Sequence, residues 1–252
     1  MTLLAVPALS DNYVWLLADE AGNAVAVDPG QAAPVQAALA RTGWRLRAIL
    51  LTHHHGDHIG GADELAAATG ARVHAPQDPR IAHADLRVTD GLHIDIDASS
   101  LAFDVIATPG HTTSHVAYFG HEALFCGDTL FSVGCGRLFE GSAAQMLASL
   151  DRLAALPAST RICCGHEYTL ANCAFARGIE PHNAALAERE ARVRALRARG
   201  EPSLPVTLGE ELACNPFLRV DAPAIVASLG GTCRVERFAQ LRQRKDEFRM
   251  AP

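Results

Sequence analysis

The chain has 252 residues, 49% hydrophobic and 20% charged, with a formal net charge of −6. This composition suits one large globular domain, or one domain with a smaller appendage, and the length allows a sizeable core. It argues against a generic nucleic-acid binder, which needs a basic face, and no apolar run approaches the ~20 residues of a membrane span.

In chain order, short apolar runs predict strands over Tyr13–Ala18, Ala24–Val27 and Ala48–Leu51, with helices over Gln31–Arg41 and Asp63–Ala68. Further strands are expected over Ala102–Ala107, His115–Phe119, Ala123–Cys126 and Arg161–Cys164, with a helix over Ser142–Leu156 stopped by Pro157. Strands and helices mixed in this way predict sheet layers covered by helices. Beyond Tyr168 the strand signals fade. Ala184–Arg199 reads as a helix with i,i+4 pairs Glu188–Arg192 and Glu190–Arg194 and a stop at Gly200. Ala222–Leu229 and Val235–Arg249 read as further helices. The expected organisation is a mixed α/β domain over 1–167 and a helical domain over 168–252. The N-terminus shows no basic segment ahead of an apolar one, so no signal peptide is expected and the cytoplasm is the expected compartment. Seven cysteines, odd in number and without a C-x-x-C pair, read as reduced thiols.

The residues that carry chemistry cluster at the ends of the apolar runs. After Ala48–Leu51 comes Thr52 to His58, THHHGDH, which holds an H-x-H-x-D-H pattern: His53, His55, Asp57 and His58. His111, Asp128 and His166 follow later apolar runs in the same way. In extended chain, alternate side chains share a side, so His53 and His55 can hold one cation while His54 faces away. His111 fits as a third imidazole for that cation. Asp57 and His58 begin the next element and can reach a second ion, with His166 beside it and Asp128 bridging. Imidazole and carboxylate suit zinc, iron and manganese without a thiolate. Two cations sharing a water lower its pKa, giving hydroxide near neutral pH. Other features have plainer readings. His74, His83, His93, His121 and His182 read as structural or surface residues, and His115 as core or as a support to the site. Asp28 is either a turn former or a holder of a ligand loop. Cys126, Cys163 and Cys164 read as small buried residues.

The H-x-H-x-D-H cluster with later His, Asp and His resembles the metallo-β-lactamase superfamily. Four further stretches resemble the glyoxalase II, or hydroxyacylglutathione hydrolase, family within it: GCGRLFEG at 134–141, CGHEYT at 164–169, NPFLR at 215–219 and RQRKDEF at 242–248. The resemblance runs from Met1 to Met250. It implies an α/β fold, the αββα sandwich of that superfamily with a C-terminal helical domain, and two divalent ions, zinc first, with iron or manganese also suited. His53, His55 and His111 would hold the first ion and Asp57, His58 and His166 the second. Asp128 would bridge, with Asp57 and Asp128 flanking the place of the attacking hydroxide. Glutathione contacts carry over to Arg137, Phe139, Tyr168, Arg242 and Lys245. Phe139 stands where some members have tyrosine, so it lacks the hydroxyl; Arg137 stands where some have lysine and keeps the charge.

The implied activity is hydrolysis of the thioester S-(2-hydroxyacyl)glutathione, S-D-lactoylglutathione above all, by a monomeric chain with a small-molecule substrate and no nucleic-acid or membrane partner. This is the second step of methylglyoxal detoxification. Residues 234–249 fit an anionic substrate, with six basic residues against three acidic ones. Arg242 and Lys245, at i and i+3, are expected to grip one carboxylate together. The alternative within the fold is a glutathione persulfide dioxygenase with a single iron. A metal-binding module without catalysis is the other class, and a substrate clamp beside complete ligand sets argues against it.

Overall fold

A computed structural model describes residues 1–249, so the last three residues of the expected helical domain lie outside the described residues. By packing, they divide into two units, one made of Met1–Ala107 and Ser114–Gly127, the other of Thr108–Thr113 and the chain from Asp128 onward.

The first unit holds β1 (Thr2–Ala8), β2 (Asn12–Ala18), β3 (Asn23–Val27), α1 (Ala32–Thr42), β4 (Arg45–Leu50), α2 (Gly56–Ile59), α3 (Ala62–Thr69), β5 (Arg72–Pro76), β6 (Leu86–Val88), β7 (His93–Asp95), β8 (Ala102–Ala107), β9 (Val116–Gly120) and β10 (Ala123–Gly127). Strands β1 to β6 form one sheet in sequence order, antiparallel from β1 to β3 and parallel from β3 to β6. Strands β7 to β10 form an antiparallel run. Every residue of β2 and β3 is buried, because strands covered on both faces need apolar side chains on both. One face of the first sheet packs Val14, Leu16, Ile49 and Val73 against Val35 and Leu39 of α1 and Leu65 of α3. The two sets of strands are tied by hydrogen bonds as well as apolar contact. The buried Tyr118 hydroxyl on β9 donates to the Leu51 carbonyl at 2.9 Å, and the Val116 amide donates to the Thr52 carbonyl at 2.9 Å. Burial, with the negative charge of Asp28 nearby, pushes the Tyr118 phenol well above its ordinary pKa and keeps it a donor.

The second unit holds β11 (Leu130–Phe131), β12 (Gly134–Cys135), α4 (Ala143–Ala154), β13 (Arg161–Cys164), α5 (Thr169–Ile179), α6 (Ala184–Ala198), β14 (Val206–Thr207), α7 (Leu208–Cys214), α8 (Pro223–Leu229) and α9 (Arg234–Glu247). Capping boxes start α4, from Ser142 and Gln145, and α7, from Thr207 and Glu210. Asn183 caps α6 by accepting from the Leu186 amide. Strands β11 and β12 form a two-stranded hairpin, and β13 pairs with β14.

The predicted strands and helices all form, with ends shifted by a few residues. Helices α5 and α7 were not legible. The first starts at Tyr168, which makes no side-chain cap, and has no acidic residue in its first turn; the second is only seven residues long. All seven cysteines are free, and only Cys233 is exposed. Among the described residues, no helix is long and apolar enough to cross a membrane.

Tyr118→Phe tests the tie between strand sets. It strips the buried Leu51 carbonyl of its phenolic donor, so urea unfolding should show a loss of about 1–2 kcal/mol.

Candidate metal centre and substrate cleft

In the first unit, β4 delivers its chain end into Thr52, His53 and His55, and α2 begins directly after His55, so Asp57 and His58 sit in its first turn. The organiser of this corner is Asp28, at the end of β3. Its carboxylate accepts the Thr52 amide at 2.8 Å, the Thr52 hydroxyl at 2.6 Å and His58 Nδ1 at 3.0 Å. Asp28 is buried and lies at φ 52°, a left-handed conformation that Asp tolerates.

These bonds fix which histidine nitrogen faces inward. A carboxylate only accepts, so His58 Nδ1 carries the proton, and in the neutral ring Nε2 keeps its lone pair. That Nε2 lies 3.4 Å from Asp57 Oδ2. The Thr52 hydroxyl spends its hydrogen on Asp28, so His53 Nδ1, 3.0 Å away, donates to it. His53 Nε2 then turns its lone pair toward His55 Nδ1 at 3.1 Å. Asp28, His53 and His58 also offer donor atoms within 4.8 Å of one another, but the Asp28 oxygens are taken up by Thr52 and His58, which makes it a holder of ligands. His115 stacks on His53 with centroids 4.8 Å apart. His54 turns the other way, its Nδ1 3.4 Å from Asp78, a carboxylate already bound by Arg80 and Ser114. Asn12 was not singled out from sequence. Its amide donates to Asp57 Oδ2 at 3.0 Å, and only its place at the polar start of β2 could have hinted at it.

The second unit brings His111, Asp128 and His166 together. Asp128 Oδ2 lies 3.5 Å from His111 Nε2 and 3.4 Å from His166 Nε2. His111 Nδ1 donates to the Arg137 carbonyl at 2.9 Å, so in the neutral ring Nε2 and the Asp128 oxygen are both acceptors. Two acceptors turned toward each other suit a cation between them, and a ring nitrogen held by a carbonyl is the usual support of a metal-binding imidazole. The donor sets of both units, imidazole and carboxylate throughout, fit a divalent ion. Gly136 is needed here because a Cβ at that position would lie 1.9 Å from the Asp128 carbonyl oxygen. Tyr168 stacks on His166, with centroids 4.7 Å apart and planes 3° from parallel.

A cleft of about 410 Å³ opens beside this cluster within the second unit, lined by His111, Asp128, Arg137, Phe139, Tyr168, Arg242 and Lys245 among others. All five residues expected to contact glutathione therefore line one cavity. Their states differ. Phe139 is 61% exposed and sets its ring edge against His111. Lys245 donates to the Ala171 carbonyl at 3.2 Å and sits over the Phe175 and Phe248 rings. Burial, then the charges of Arg242 and Arg137, lowers its pKa to about 8. Arg242 departs from the expected joint grip with Lys245. Its Nη1 donates to the Cys135 carbonyl at 2.7 Å and its Nη2 to Asp246 at 3.0 Å, so most of its fork is spent on the protein. The reason is geometric: helix α9 buries Arg242 beneath the hairpin.

The residues 9–166 match the metallo-beta-lactamase superfamily and residues 167–248 the hydroxyacylglutathione hydrolase C-terminus. The hydroxyacylglutathione hydrolase of Methylococcus capsulatus is 53% identical over 256 residues, covering 99% of this chain and 99% of the relative. The chain belongs to the hydroxyacylglutathione hydrolase family. The family's protein from Xanthomonas campestris pv. campestris is 51% identical, covering 99% of this chain and all of the relative. Among solved structures, ETHE1 from Myxococcus xanthus is similar at 26% identity with a TM-score of 0.69, covering 96% of this chain and 90% of that one. The fold is thus that of the metallo-β-lactamases with the C-terminal helical region of the hydroxyacylglutathione hydrolases, and in this fold the His/Asp clusters are a site for divalent metal.

Asp28→Asn keeps the backbone conformation, which Asn also accepts, but puts an amide donor where the carboxylate accepts from three donors. Chelator competition should then show zinc affinity lower by roughly 10–100-fold, the usual cost of losing such a support.

Proposed function

We propose that the chain hydrolyses S-(2-hydroxyacyl)glutathione thioesters, S-D-lactoylglutathione above all, to glutathione and the hydroxy acid, here D-lactate, the second step of methylglyoxal detoxification. The observation that carries this reading is the cleft of the second unit, where Arg137 and Lys245 line the same cavity as His111 and Asp128. A tripeptide with two carboxylates calls for cations near the reacting centre. The near-full-length identity to hydroxyacylglutathione hydrolases supports the same substrate.

We extend the reading to two ions, zinc in both positions, held by His53, His55, Asp57, His58, His111, Asp128 and His166. It also takes residues 1–167 as the catalytic domain and 168–252 as the substrate-binding domain of a monomeric, cytoplasmic enzyme. The uniformly free cysteines support a reducing compartment. When bound, such ions lower the pKa of a shared water and polarise the thioester carbonyl. The chain's own groups do the rest. Asp57 and Asp128 flank the place of attack, Asp57 held by Asn12. Lys245 and Arg137 draw in the glutathione carboxylates. The Phe139 ring offers apolar contact at the mouth, and Tyr168 presents its hydroxyl. Arg242 holds the hairpin that forms one wall. The leaving thiol has a pKa near ~8.5, so it departs as thiolate without a dedicated acid.

The direct test is thioester cleavage followed in the ultraviolet, with lactoylglutathione compared against lactoyl esters of smaller thiols. A strong preference for the glutathione ester is expected; equal rates would sink the reading. Oxygen consumption with glutathione persulfide, and no thioester cleavage, would point instead to the dioxygenase.

Lys245→Ala removes a charge-assisted contact of roughly 1.5–3 kcal/mol, so KM should rise about tenfold or more with kcat little changed. The charged form is the binding form. With the free-enzyme pKa lowered to about 8, KM should climb as pH rises through that value, and Lys245→Arg should flatten the climb.

His53→Ala and His55→Ala should each lose metal and cut turnover by orders of magnitude. His54→Ala, which removes the neighbour of Asp78 and a ring packed against His55 but no expected ligand, should keep metal near two ions per chain. Elemental analysis and turnover measured side by side on the three variants decide this.

A further inference from the structure

Between β11 and β12 the chain turns through Ser132 and Val133. Val133 is fully buried at φ 56°, a left-handed conformation in which a β-branched residue is strained. Such a residue persists only where its surroundings hold it, and here the hold is dense and polar. The carboxylate of Glu211, on α7, accepts the Ser132 hydroxyl and the Val133 amide, both at 2.7 Å. It also accepts the Asn215 amide at 3.0 Å. Asn215 Nδ2 reaches the Phe131 and Gly134 carbonyls as well, each at 3.0 Å, with its orientation set by the Phe217 amide donating to Oδ1. Arg189 donates to the Ser132 hydroxyl oxygen at 3.0 Å, so that hydroxyl must give its own hydrogen to Glu211.

Every partner of Glu211 in this network is a donor. Although burial pushes its carboxyl upward in pKa, the geometry calls for the ionised acceptor. A buried charge is costly unless it is fully bonded, so a carboxylate placed here must offset that cost by what it holds. What it holds is the hairpin whose two ends meet the candidate metal centre. Asp128 stands just ahead of β11. Gly136 and Arg137 follow β12, and the Arg137 carbonyl fixes the His111 ring.

We propose that Glu211 is a positioning residue for the metal centre: by holding the strained Ser132–Val133 turn it sets the hairpin that places Asp128 and the Arg137 carbonyl, and through that carbonyl the tautomer of His111. The metal part of the inference rests on His111 and Asp128 being ligands; the tautomer part does not.

The test compares Glu211→Gln with Leu186→Ala. The first puts an amide donor against donors. The second opens a cavity in the same cluster that buries Val133 but removes none of the network's hydrogen bonds, so it sets the baseline for lost packing. Both are examined well below their melting temperatures, with two readouts. Two-bond 1H–15N correlation in metal-free protein reports the His111 tautomer, and chelator competition reports zinc affinity. Glu211→Gln is expected to lose the Nδ1–H preference of His111 and to weaken zinc by roughly 10–100-fold, while Leu186→Ala lowers only the melting temperature. If Glu211→Gln does not fold, Ser132→Ala removes one of the carboxylate's donors and should shift both readouts in the same direction by less. The proposal is overturned if the folded Glu211 or Ser132 variant keeps the wild-type tautomer and zinc affinity. If the wild-type chain itself takes up no zinc, the ligand assignment falls, and the tautomer readout still decides whether Glu211 positions the ring.

Discussion

A neutral imidazole offers a lone pair to a cation from one nitrogen only, and the other nitrogen's partner decides which. That constraint organises the candidate ligand cluster of each unit. In the first unit, one buried carboxylate, Asp28, fixes His58 directly and His53 through the Thr52 hydroxyl. The surrounding sheet exists in a form that lets this happen. β3 ends at Val27 and β4 at Leu50, side by side and parallel, so the residues just past each end meet.

The second unit reaches the same end with a backbone carbonyl. His111 is held by Arg137, and nothing in the side chain of Arg137 takes part in that bond. A carbonyl is only as well placed as its loop. This explains the density of polar support around the β11–β12 hairpin: Arg242 on the Cys135 carbonyl, Asn215 on Phe131 and Gly134, Asn172 on the Ser132 carbonyl. The helical region therefore does structural work at the metal centre's edge as well as lining the cleft, and Arg242 shows both roles in one side chain.

The candidate ligands were legible because they are compact in sequence or sit at the ends of recognisable apolar runs, where extended geometry says which way each side chain points. The strands of the first unit were legible for the same reason. What escaped was the holding layer. Asn12 meets Asp57 across 45 residues, Arg242 meets Cys135 across 107, and Glu211 meets Ser132 across 79; no periodicity links such partners. Asp28 was visible but ambiguous, because a turn former and a ligand holder carry the same letters, and only the three donors gathered around it separate the two. Arg242 and Lys245 share a helix face, as their spacing says, but spacing does not reveal that the hairpin would claim one of the two.

The backbone at Asp28 carries a consequence of another kind. A φ of 52° admits glycine, asparagine and aspartate with little strain and resists the rest. The carboxylate's three donors admit only a side chain with two accepting oxygens at short reach. Two unrelated filters, one steric and one chemical, thus act on the same position, and aspartate meets both. A change to glycine or asparagine satisfies the turn but leaves the imidazoles unheld, while glutamate, which supplies the same chemistry, sets its carboxylate one methylene farther from Thr52 and His58.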